Sequence, residues 1–576
     1  MKLFMNNLKR LWQYTENNKK LIIKCIIYNV IFVAIRISVI LLSSKLIIEL
    51  TDNDMIGLFF TALLVFVIEL SHNTIYYFLQ GCYQKIYKNL FTGLQSSLSE
   101  EILTIENECL DKNSSGLFIQ RITSDTSSLA TLFKDLIQVL GQLLSDIGIY
   151  ITIFLLNKIA FLYFIICTII IFLISIQKEK RYSSKDKLFK EENEKTTSFI
   201  GEIVRGSKDI KMLNAYDSFK EILNNKVETL NEKRYELDDT NRIWKMILWY
   251  SIFTYRFLLI CLIIILISKE LTTIAIAMIL YNSMSKVTDF INNSGELLKI
   301  TKGFNLSCDR IFSIMDDKKF SKEKFGKKHL DKINGDFEFK DVTFSYDNKI
   351  NVLNKMSFKV NANETVAFVG KSGAGKTTIF SLLCKMYDNY DGNIMIDGID
   401  IKKLDRDSIR GNITIISQNP YIFNMSIRDN LKLVKKDLTE NEMAEACKMA
   451  CLDDYINSLP NKYDTIVGEG GVMLSGGQKQ RLAIARALIQ KTEIILFDEA
   501  TSALDNETQL QIQKAIDNLK KDYTILIIAH RLSTIKNANR ILFISDGKVL
   551  SEGTHKKLLS SCKEYKDLYE AEITKL

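Results

Sequence analysis

The chain has 576 residues, beyond the size at which a single hydrophobic core stops growing, so one compact domain is excluded. Only 2 prolines and 25 glycines argue against a collagen-like or disordered chain. The net charge of +8 is modest, and Lys and Arg are not gathered in one block, which argues against a nucleic-acid partner. Long apolar runs fill the first half, and almost none reaches spanning length after residue 300.

The ten cysteines include no CxxC pair, and several lie inside apolar runs, so we expect reduced side chains that pack in the interior. Cys447 and Cys451 are four residues apart and could share a helix face. A metal site at this pair is disfavoured, because the chain has only 4 histidines and none is close in sequence.

Residues 1–20 lack a long apolar core and a small-residue cleavage site, so no secretory signal peptide is expected. Leu3, Phe4, Leu8, Leu11 and Trp12 follow helical spacing with basic and polar residues between them. The pattern predicts a short helix in the membrane interface, with a soluble amphipathic turn as the alternative.

Six apolar runs are each long enough to cross about 30 Å of hydrocarbon as a helix at about 1.5 Å per residue. The predicted spans are 21–50, 55–79, 131–156, 158–177, 246–267 and 271–291. We therefore expect an all-α polytopic membrane domain of about six transmembrane helices.

The distribution of Lys and Arg among the connections predicts the orientation of these spans. The short loops 51–54, 157–158 and 268–270 carry only two lysines and no arginine between them, whereas 1–20 and 178–242 are rich in Lys and Arg. By the positive-inside rule the short loops face outside, and both termini are cytosolic.

The long connections at about 80–130 and 178–242 are polar but helical in pattern. The spanning helices are therefore expected to extend well into the cytosol as two helical extensions. Residues 116–125 and 210–221 are predicted to form short turns at the far ends of these extensions.

Four charged residues fall deep within the spans, where an isolated charge costs at least about 2.5–3.5 kcal/mol and needs a partner. Arg36 and Glu69 are equally distant from loop 51–54 on antiparallel helices, which predicts an ion pair between them. Asp146 and Arg256 form a second possible pair. Mutual neutralisation, or snorkelling into an inward-open water cavity, is favoured over the alternative, in which these side chains line a cavity and bind a polar or zwitterionic substrate.

After Cys308 the sequence changes to short alternating strands and glycine turns, typical of a soluble α/β domain. The strand-like TVAFVG runs into a Walker A loop and then an apolar helix. The loop glycines allow backbone N–H groups to surround phosphates, Lys376 supplies a positive charge, and the Thr377 hydroxyl reaches Mg²⁺. The candidate residues of this loop are Gly370, Lys371, Ser372, Gly373, Ala374, Gly375, Lys376, Thr377 and Thr378.

A second motif supports the same chemistry. The buried-strand run 494–497 ends in Asp498 and Glu499. This is the placement of a Walker B carboxylate that holds Mg²⁺ beside a second carboxylate that activates water. In isolation two acids at a strand end indicate a solvated turn, but the Walker A loop favours the catalytic interpretation.

Between the two motifs the sequence LSGGQ is followed by KQRLAIARAL, and here the chain resembles the ATP-binding cassette (ABC) family. The resemblance implies that this signature, at a helix N-terminus, holds the γ-phosphate of ATP bound to another cassette. The candidate residues are Ser475, Gly476, Gly477 and Gln478.

The resemblance extends to four further residues. Tyr346 matches the aromatic residue that stacks on adenine, and Gln418 matches the loop residue that senses Mg²⁺ and the membrane domain. Asp505 matches an acid that faces the cassette dimer, and His530 matches the γ-phosphate switch. In isolation each would be an ordinary core or surface residue; all in register, they favour the family.

The whole chain resembles a type IV ABC exporter half-transporter. The resemblance implies a transmembrane domain at 1–316, a linker at 317–332 and an α/β P-loop NTPase cassette at 333–576. The turns near 110–125 and 210–221 would be coupling helices that dock on cassettes.

We therefore expect an ATP-hydrolysing exporter in the bacterial inner membrane, with ATP and Mg²⁺ as cofactors and the cassette in the cytosol. The alternative is an ATP-gated regulatory subunit or channel of the same family; the intact Glu499, Ser475 and His530 favour the exporter. A soluble ABC protein is excluded by the apolar runs. The substrate, whether drug, lipid or peptide, is not encoded in these motifs.

Each ATP site needs a Walker A loop and a signature from opposite cassettes, and one chain carries one of each, so a dimer is expected. A homodimer is favoured, because neither Glu499 nor the signature is degenerate. A heterodimer with a second half-transporter is the alternative.

Overall fold

The computed structural model describes residues 2–317, 319–347, 349–468, 471–498, 506–520, 522–528 and 538–573. The chain forms two compact units, Met1–Leu103 with Ser115–Lys319, and Thr104–Ser114 with Phe320–Leu576.

The first unit is helical throughout, apart from short turns. The helices, including α4 of the second unit, are α1 (Lys2–Trp12), α2 (Lys19–Thr51), α3 (Met55–Ile102), α4 (Asn107–Asp111), α5 (Ser115–Gln120), α6 (Thr126–Leu156), α7 (Lys158–Arg205), α8 (Ser207–Met212), α9 (Tyr216–Ser268), α10 (Ile274–Asn282) and α11 (Lys286–Met315). Short 3₁₀ turns lie at Gln13–Asn18 and Ser283–Ser285, and a π-helical turn at Arg121–Asp125 joins α5 to α6.

In the described part of the chain, six helical segments are long and apolar enough to cross a membrane. They are Lys19–Thr51, Met55–Ile102, Ser115–Leu156, Lys158–Arg205, Tyr216–Ser268 and Ile274–Met315. The predicted number of spans is confirmed. At about 1.5 Å per residue α9 is about 80 Å long, so the helices continue far beyond the hydrocarbon, as the polar helical pattern predicted.

The predicted N-terminal helix is α1, and its apolar face packs against α11. The Phe4 ring meets the Phe304 ring edge-on at 5.4 Å between centroids, Leu11 is fully buried, and Asn7 donates to Asn305 at 3.1 Å. Burial of this face within the unit accounts for the helical spacing of its apolar residues.

The predicted turn over 116–125 is wrong. These residues are helical, and the chain turns instead between α3 and α5, where Ile105 forms an isolated β-bridge with Lys322. The second prediction, 210–221, contains a turn at 213–215 between α8 and α9.

The second unit is an α/β domain. Its strands are β1 (Phe337–Phe344), β2 (Leu353–Val360), β3 (Thr365–Val369), β4 (Tyr390–Ile396), β5 (Ile399–Asp400), β6 (Ile413–Ile416), β7 (Met425–Ser426), β8 (Ile466–Val467), β9 (Ile494–Asp498), β10 (Thr524–Ile528), β11 (Arg540–Ser545) and β12 (Lys548–Gly553). Its helices after α11 are α12 (Lys376–Leu383), α13 (Arg406–Arg410), α14 (Ile427–Lys432), α15 (Glu440–Met449), α16 (Asp453–Ser458), α17 (Gly476–Gln490), α18 (Asn506–Leu519), α19 (His555–Ser561) and α20 (Lys563–Ile573).

The described strands form a six-stranded sheet in the order β12-β11-β3-β10-β9-β6, a four-stranded sheet in the order β2-β1-β4-β5, and the pair β7-β8. Within the larger sheet, β11, β3, β10, β9 and β6 are parallel. Every residue of β3 and β10 is buried, because both faces of a parallel sheet are covered. One hydrophobic core lies between the sheets, and another joins the large sheet to α15 and α17.

The segment after α11 packs within the second unit rather than extending freely. Phe320 is buried, the Gly326 N–H donates to the Leu404 carbonyl at 2.8 Å, and Arg410 binds both carboxylate oxygens of Glu323 at 2.6 and 2.9 Å. Glu323 also donates its N–H to the Thr104 carbonyl at 2.8 Å. This bidentate ion pair therefore lies where three separate parts of the chain meet.

Replacing Glu323 with Gln should lower the free energy of unfolding by about 1.5–3 kcal/mol, because the half-buried Arg410 loses a charged acceptor. The measurement is the midpoint of thermal unfolding of the full-length protein. Glu338→Gln is the control, since its pair with Lys340 is more exposed and should contribute less than about 1 kcal/mol. Equal shifts in the two variants would contradict the assignment.

Candidate active site

A glycine-rich loop, residues 370–375, joins the buried strand β3 to α12. Gly373 and Gly375 have φ values of +81° and +96°, a left-handed conformation that glycine adopts without strain. A Cβ on Gly375 would lie 2.6 Å from Leu353 Cδ2, so packing also requires glycine there. The loop ends at the N-terminus of α12, where the helix dipole favours bound anions.

Side chains from two strand ends meet beside this loop. Nζ of Lys376 donates to the carbonyl oxygens of Gly370 and Lys371 at 2.8 and 2.9 Å, so its ammonium group lies within the curve of the loop. Thr377 Oγ1 donates to Asp498 Oδ1 at 3.4 Å. The two motifs predicted from sequence are therefore brought together, with a cation, a hydroxyl and a carboxylate at one edge of the sheet.

The LSGGQ turn is closed by a capping box at the start of α17. The Gln478 N–H donates to Ser475 Oγ at 3.3 Å, and the Ser475 N–H donates to Gln478 Oε1 at 2.8 Å. Ser475 and Gly476 are exposed, whereas Gly477 is buried. Among the described residues, these side-chain bonds close the turn on itself rather than on loop 370–375, and the exposed face of the turn is open to another molecule.

Helix α17 also fixes the segment that follows β6. Gln480 donates to the Gln418 carbonyl at 3.0 Å, and Arg486 donates to the Tyr421 carbonyl at 3.0 Å. Burial lowers the pKa of the Arg486 guanidinium, and hydrogen bonds to carbonyl oxygens offset the cost of burying it. Because β6 pairs in parallel with β9, Gln418 follows a strand end at the same sheet edge as Asp498.

Three predicted site residues, Glu499, Asp505 and His530, lie outside the described residues. Their roles stay predictions. The other predicted residues of the loop, the Walker B strand and the signature are placed as above.

Comparison with known proteins agrees with this geometry. Residues 353–502 match the ABC transporter family, and residues 21–287 match the ABC transporter transmembrane region. The ATP-dependent lipid A-core flippase of Photorhabdus laumondii is 33% identical over 80% of this chain and 79% of its own length. The chain belongs to the ABC transporter family. It is therefore a multi-pass membrane protein whose cassette binds and hydrolyses ATP, and the hydrolysis is coupled to transport.

Two further similarities cover different shares of this ABC transporter. Multidrug resistance protein pgp-1 of Caenorhabditis elegans is 45% identical over 46% of this chain and 20% of its own length. A solved structure of a bacterial Atm1-family ABC exporter with ATP bound has a TM-score of 0.83 at 21% identity, over 96% of this chain and 98% of that one. The fold is thus shared across almost the whole transporter.

The transporter contains one contact at the site that the sequence analysis missed. The Tyr346 hydroxyl is 3.1 Å from Thr378 Oγ1, and its ring lies 5.2 Å from the Tyr387 ring, nearly perpendicular to it. Tyr387 in turn donates its hydroxyl to Asp111 Oδ2 at 2.6 Å. Burial and the Asp111 charge raise the pKa of Tyr387, which stays protonated as the donor. A chain of contacts therefore joins the predicted adenine-stacking residue to α4.

The first unit holds a second candidate site, a polar cavity of about 470 Å³. Its lining includes Arg36, Glu69, His72, Asn73 and Lys286. Arg36 and Glu69 thus lie on one cavity, in agreement with their predicted common depth.

The predicted Arg36–Glu69 ion pair is nevertheless wrong. Among the described residues, Arg36 pairs with Asp289 at 3.9 Å and donates to Ser145 at 3.3 Å, while Lys286 pairs with the same Asp289 at 2.6 Å. The equal depth of Arg36 on α2 and Glu69 on α3 predicted that the two residues are level. It could not predict that the carboxylate beside Arg36 comes from a third helix, α11. Two cations therefore share one anion.

The predicted Asp146–Arg256 pair is also wrong. Asp146 is buried and accepts a hydrogen bond from Asn293 at 2.7 Å. The Nε atom of Arg256 is buried without a hydrogen-bond partner among the described residues. The amide of Asn293 therefore replaces the expected cation beside Asp146.

Replacing Asp289 with Asn should destabilise the transporter, because Arg36 and Lys286 would then repel each other without a shared carboxylate. We expect the free energy of unfolding to fall by about 1.5–3 kcal/mol, as for loss of a charged hydrogen-bond partner. Thermal unfolding in nanodiscs measures the change. Asp186→Asn is the control. It removes the exposed ion pair between Asp186 and Lys190, which are one helical turn apart, and should lower the free energy of unfolding by no more than about 0.5 kcal/mol. A shift no larger than this control would show that Asp289 does not hold the cations.

Proposed function

We propose that this transporter is an exporter that moves a drug, a lipid or a small peptide out of a bacterial cell by alternating access, working as a dimer. The observation that carries the proposal is the contact between Thr377 and Asp498 at the glycine-rich loop, in a chain that also carries six apolar spans. The names of its relatives, lipid A-core flippases and a multidrug resistance protein, support a lipid or drug as the cargo.

In the proposed site, loop 370–375 and Lys376 bind the phosphates of ATP, and Tyr346 stacks on its adenine. Thr377, Asp498 and Gln418 fit Mg²⁺, because hydroxyl, carboxylate and amide oxygens are the ligands that this hard cation prefers. Bound Mg²⁺ would neutralise charge on the β- and γ-phosphates. Glu499 is proposed to orient or deprotonate the attacking water, and His530 to contact the γ-phosphate.

The signature turn is proposed to complete the ATP site of a second protomer. Ser475 and Gly476 are exposed at the N-terminus of α17, where N–H groups and the helix dipole favour a phosphate. A homodimer follows, since one chain provides both halves of the interface in a two-fold arrangement. Asp505 is proposed to face this interface.

We propose a transmembrane domain at 1–316, a linker at 317–332 and a cassette at 333–576. The chain is assigned to the bacterial inner membrane with both termini and the cassette in the cytosol. The scarcity of Lys and Arg in the short loops supports this orientation.

Replacing Glu499 with Gln should preserve ATP binding and reduce ATP turnover roughly 10²–10⁴-fold, as expected for loss of a general base. Phosphate release by the purified protein in nanodiscs measures the effect, and nucleotide binding is measured in parallel. Glu493→Gln, at the opposite end of β9, is the matched control and should retain turnover. Near-normal phosphate release from the Glu499 variant would remove that residue from the mechanism.

The dimer can be tested by mixing two inactive variants, Lys376→Ala and Ser475→Ala. A mixed dimer retains one site with an intact Walker A loop and an intact signature, whereas either homodimer has none. We therefore expect ATP hydrolysis to reappear on co-expression and the particle mass to equal two protomers. A monomeric mass together with no recovery would contradict the arrangement.

Transport is tested with vesicles that hold the purified protein, using compounds that stimulate its ATP hydrolysis. ATP-dependent movement of a stimulating compound, abolished by Glu499→Gln, supports an exporter. Stimulated hydrolysis with no movement of any compound, but with ATP-dependent ion conductance, would indicate a channel instead.

A further inference from the structure

The first unit contains a cavity of about 680 Å³ between α7, α9 and α11, separate from the polar cavity around Arg36. One part of its lining is apolar and includes Phe172, Leu248 and Ile291. The other part carries four lysines, Lys178, Lys180, Lys299 and Lys302. The cavity is therefore amphipathic, with its charge provided by side chains of two different helices.

The apolar lining lies at hydrocarbon depth. Counted from the outer ends of their helices, Phe172 is 14 residues after Lys158 and Ile291 is 17 residues after Ile274. At about 1.5 Å per residue these positions are about 21 and 26 Å from the short loops, within a hydrocarbon layer of about 30 Å.

The lysines begin where that layer ends. Lys178 is 20 residues after Lys158, or about 30 Å, and Lys299 is 25 residues after Ile274, or about 38 Å. This is the depth of lipid headgroups. The proposed orientation makes it the cytosolic leaflet.

Exposed aromatic side chains mark the same boundary independently. Trp249 and Tyr250 are exposed on α9, 19 and 18 residues before its outer end at Ser268, which is about 28 and 27 Å along the helix. Tyr77 is exposed on α3, 22 residues or about 33 Å from the outer end of that helix at Met55. Trp and Tyr concentrate at the membrane–water interface because their rings are apolar with a polar edge. The lysine end of the cavity is thus level with an aromatic belt.

The lysines are not neutralised within the described part of the chain. Lys299 has a weak pair with Glu179 at 3.8 Å, and Lys178, Lys180 and Lys302 have no carboxylate within ion-pair distance among the described residues. Two carboxylates, those of Glu179 and Glu296, line the cavity with the four lysines, which leaves an excess of positive charge. In the cavity around Arg36, by contrast, Asp289 already pairs with both cations.

We propose that this cavity binds an acidic phospholipid of the cytosolic leaflet, with its phosphate among the lysines and an acyl chain along the apolar lining. Ammonium groups are compact cations that attract phosphate without requiring one fixed geometry, and clusters of Lys beside a membrane recognise anionic lipids. A zwitterionic lipid offers the same acyl chains with no net charge and is held more weakly. The site is thus selective for the headgroup.

The test measures lipid binding to the full-length protein in a neutral detergent by native mass spectrometry, without ATP. The probes are short-chain phosphatidylglycerol, short-chain phosphatidylcholine and inorganic phosphate. Phosphatidylglycerol should bind the wild type more tightly than phosphatidylcholine, and inorganic phosphate should not compete at equal concentration. Removing two lysines, by Lys299→Gln with Lys302→Gln, should weaken phosphatidylglycerol binding roughly thirtyfold.

The matched control is Lys187→Gln with Lys190→Gln, which removes the same charge from exposed positions further along α7. It should retain wild-type binding. Equal binding of the two lipids to the wild type, competition by inorganic phosphate, or an equal loss in the control variant would each overturn the proposal. Equal binding of the two lipids is also the result expected if a second protomer fills the cavity, so that arrangement would overturn the proposal as well.

The proposal uses the orientation given under the proposed function only to assign the leaflet. ATP turnover of the same samples separates the two. If lipid selectivity is lost while ATP turnover is intact, only the lipid proposal is contradicted. If ATP turnover is absent while lipid selectivity is intact, only the proposed exporter function is contradicted.

Discussion

The parallel pairing of β3, β10, β9 and β6 is the constraint on which the nucleotide chemistry depends. Because these strands run in one direction, their carboxyl ends open at a single edge of the sheet, and the polar residues that follow them meet there. Thr377 and Asp498 are far apart in sequence and meet only because β10 spaces the two strands correctly. The complete burial of β10 makes that spacing rigid, since its side chains pack on both faces.

Helix α17 carries a second constraint, because it positions two parts of the structure. Its N-terminus presents the signature turn, and its body donates hydrogen bonds from Gln480 and Arg486 to the segment around Gln418. The same helix therefore fixes the surface offered to another molecule and the loop beside the Walker B strand. A shift of α17 would disturb both places, because it would break these hydrogen bonds and displace the signature turn together.

The glycine-rich loop, the Walker B strand and the signature turn could be predicted from sequence because their motifs are local. A glycine loop between a strand and a helix, or a serine at a helix start, has the same geometry wherever those elements form. The contacts of Tyr387 could not be predicted, since Asp111 and Tyr346 reach it from distant segments. Nor could the partner of Arg36, because a depth argument on two helices says nothing about Asp289 on a third. The number of spans followed from hydropathy and the extension of the helices from their polar helical pattern, whereas the position of the first turn, beside the pairing of Ile105 with Lys322, followed from neither.

Both prolines of the chain, Pro420 and Pro460, lie in the cassette, so no proline interrupts the long membrane helices. A helix of about 80 Å such as α9 then behaves as a stiff lever, and a tilt of about 4° moves its far end by about one helical pitch. The helical hydrogen-bond pattern changes at the π-helical turn Arg121–Asp125 and at the 3₁₀ turn Ser283–Ser285, and bending costs the least free energy there. Mechanical compliance in this unit is therefore concentrated in α5–α6 and α10–α11, while α7 and α9 transmit displacement with little loss.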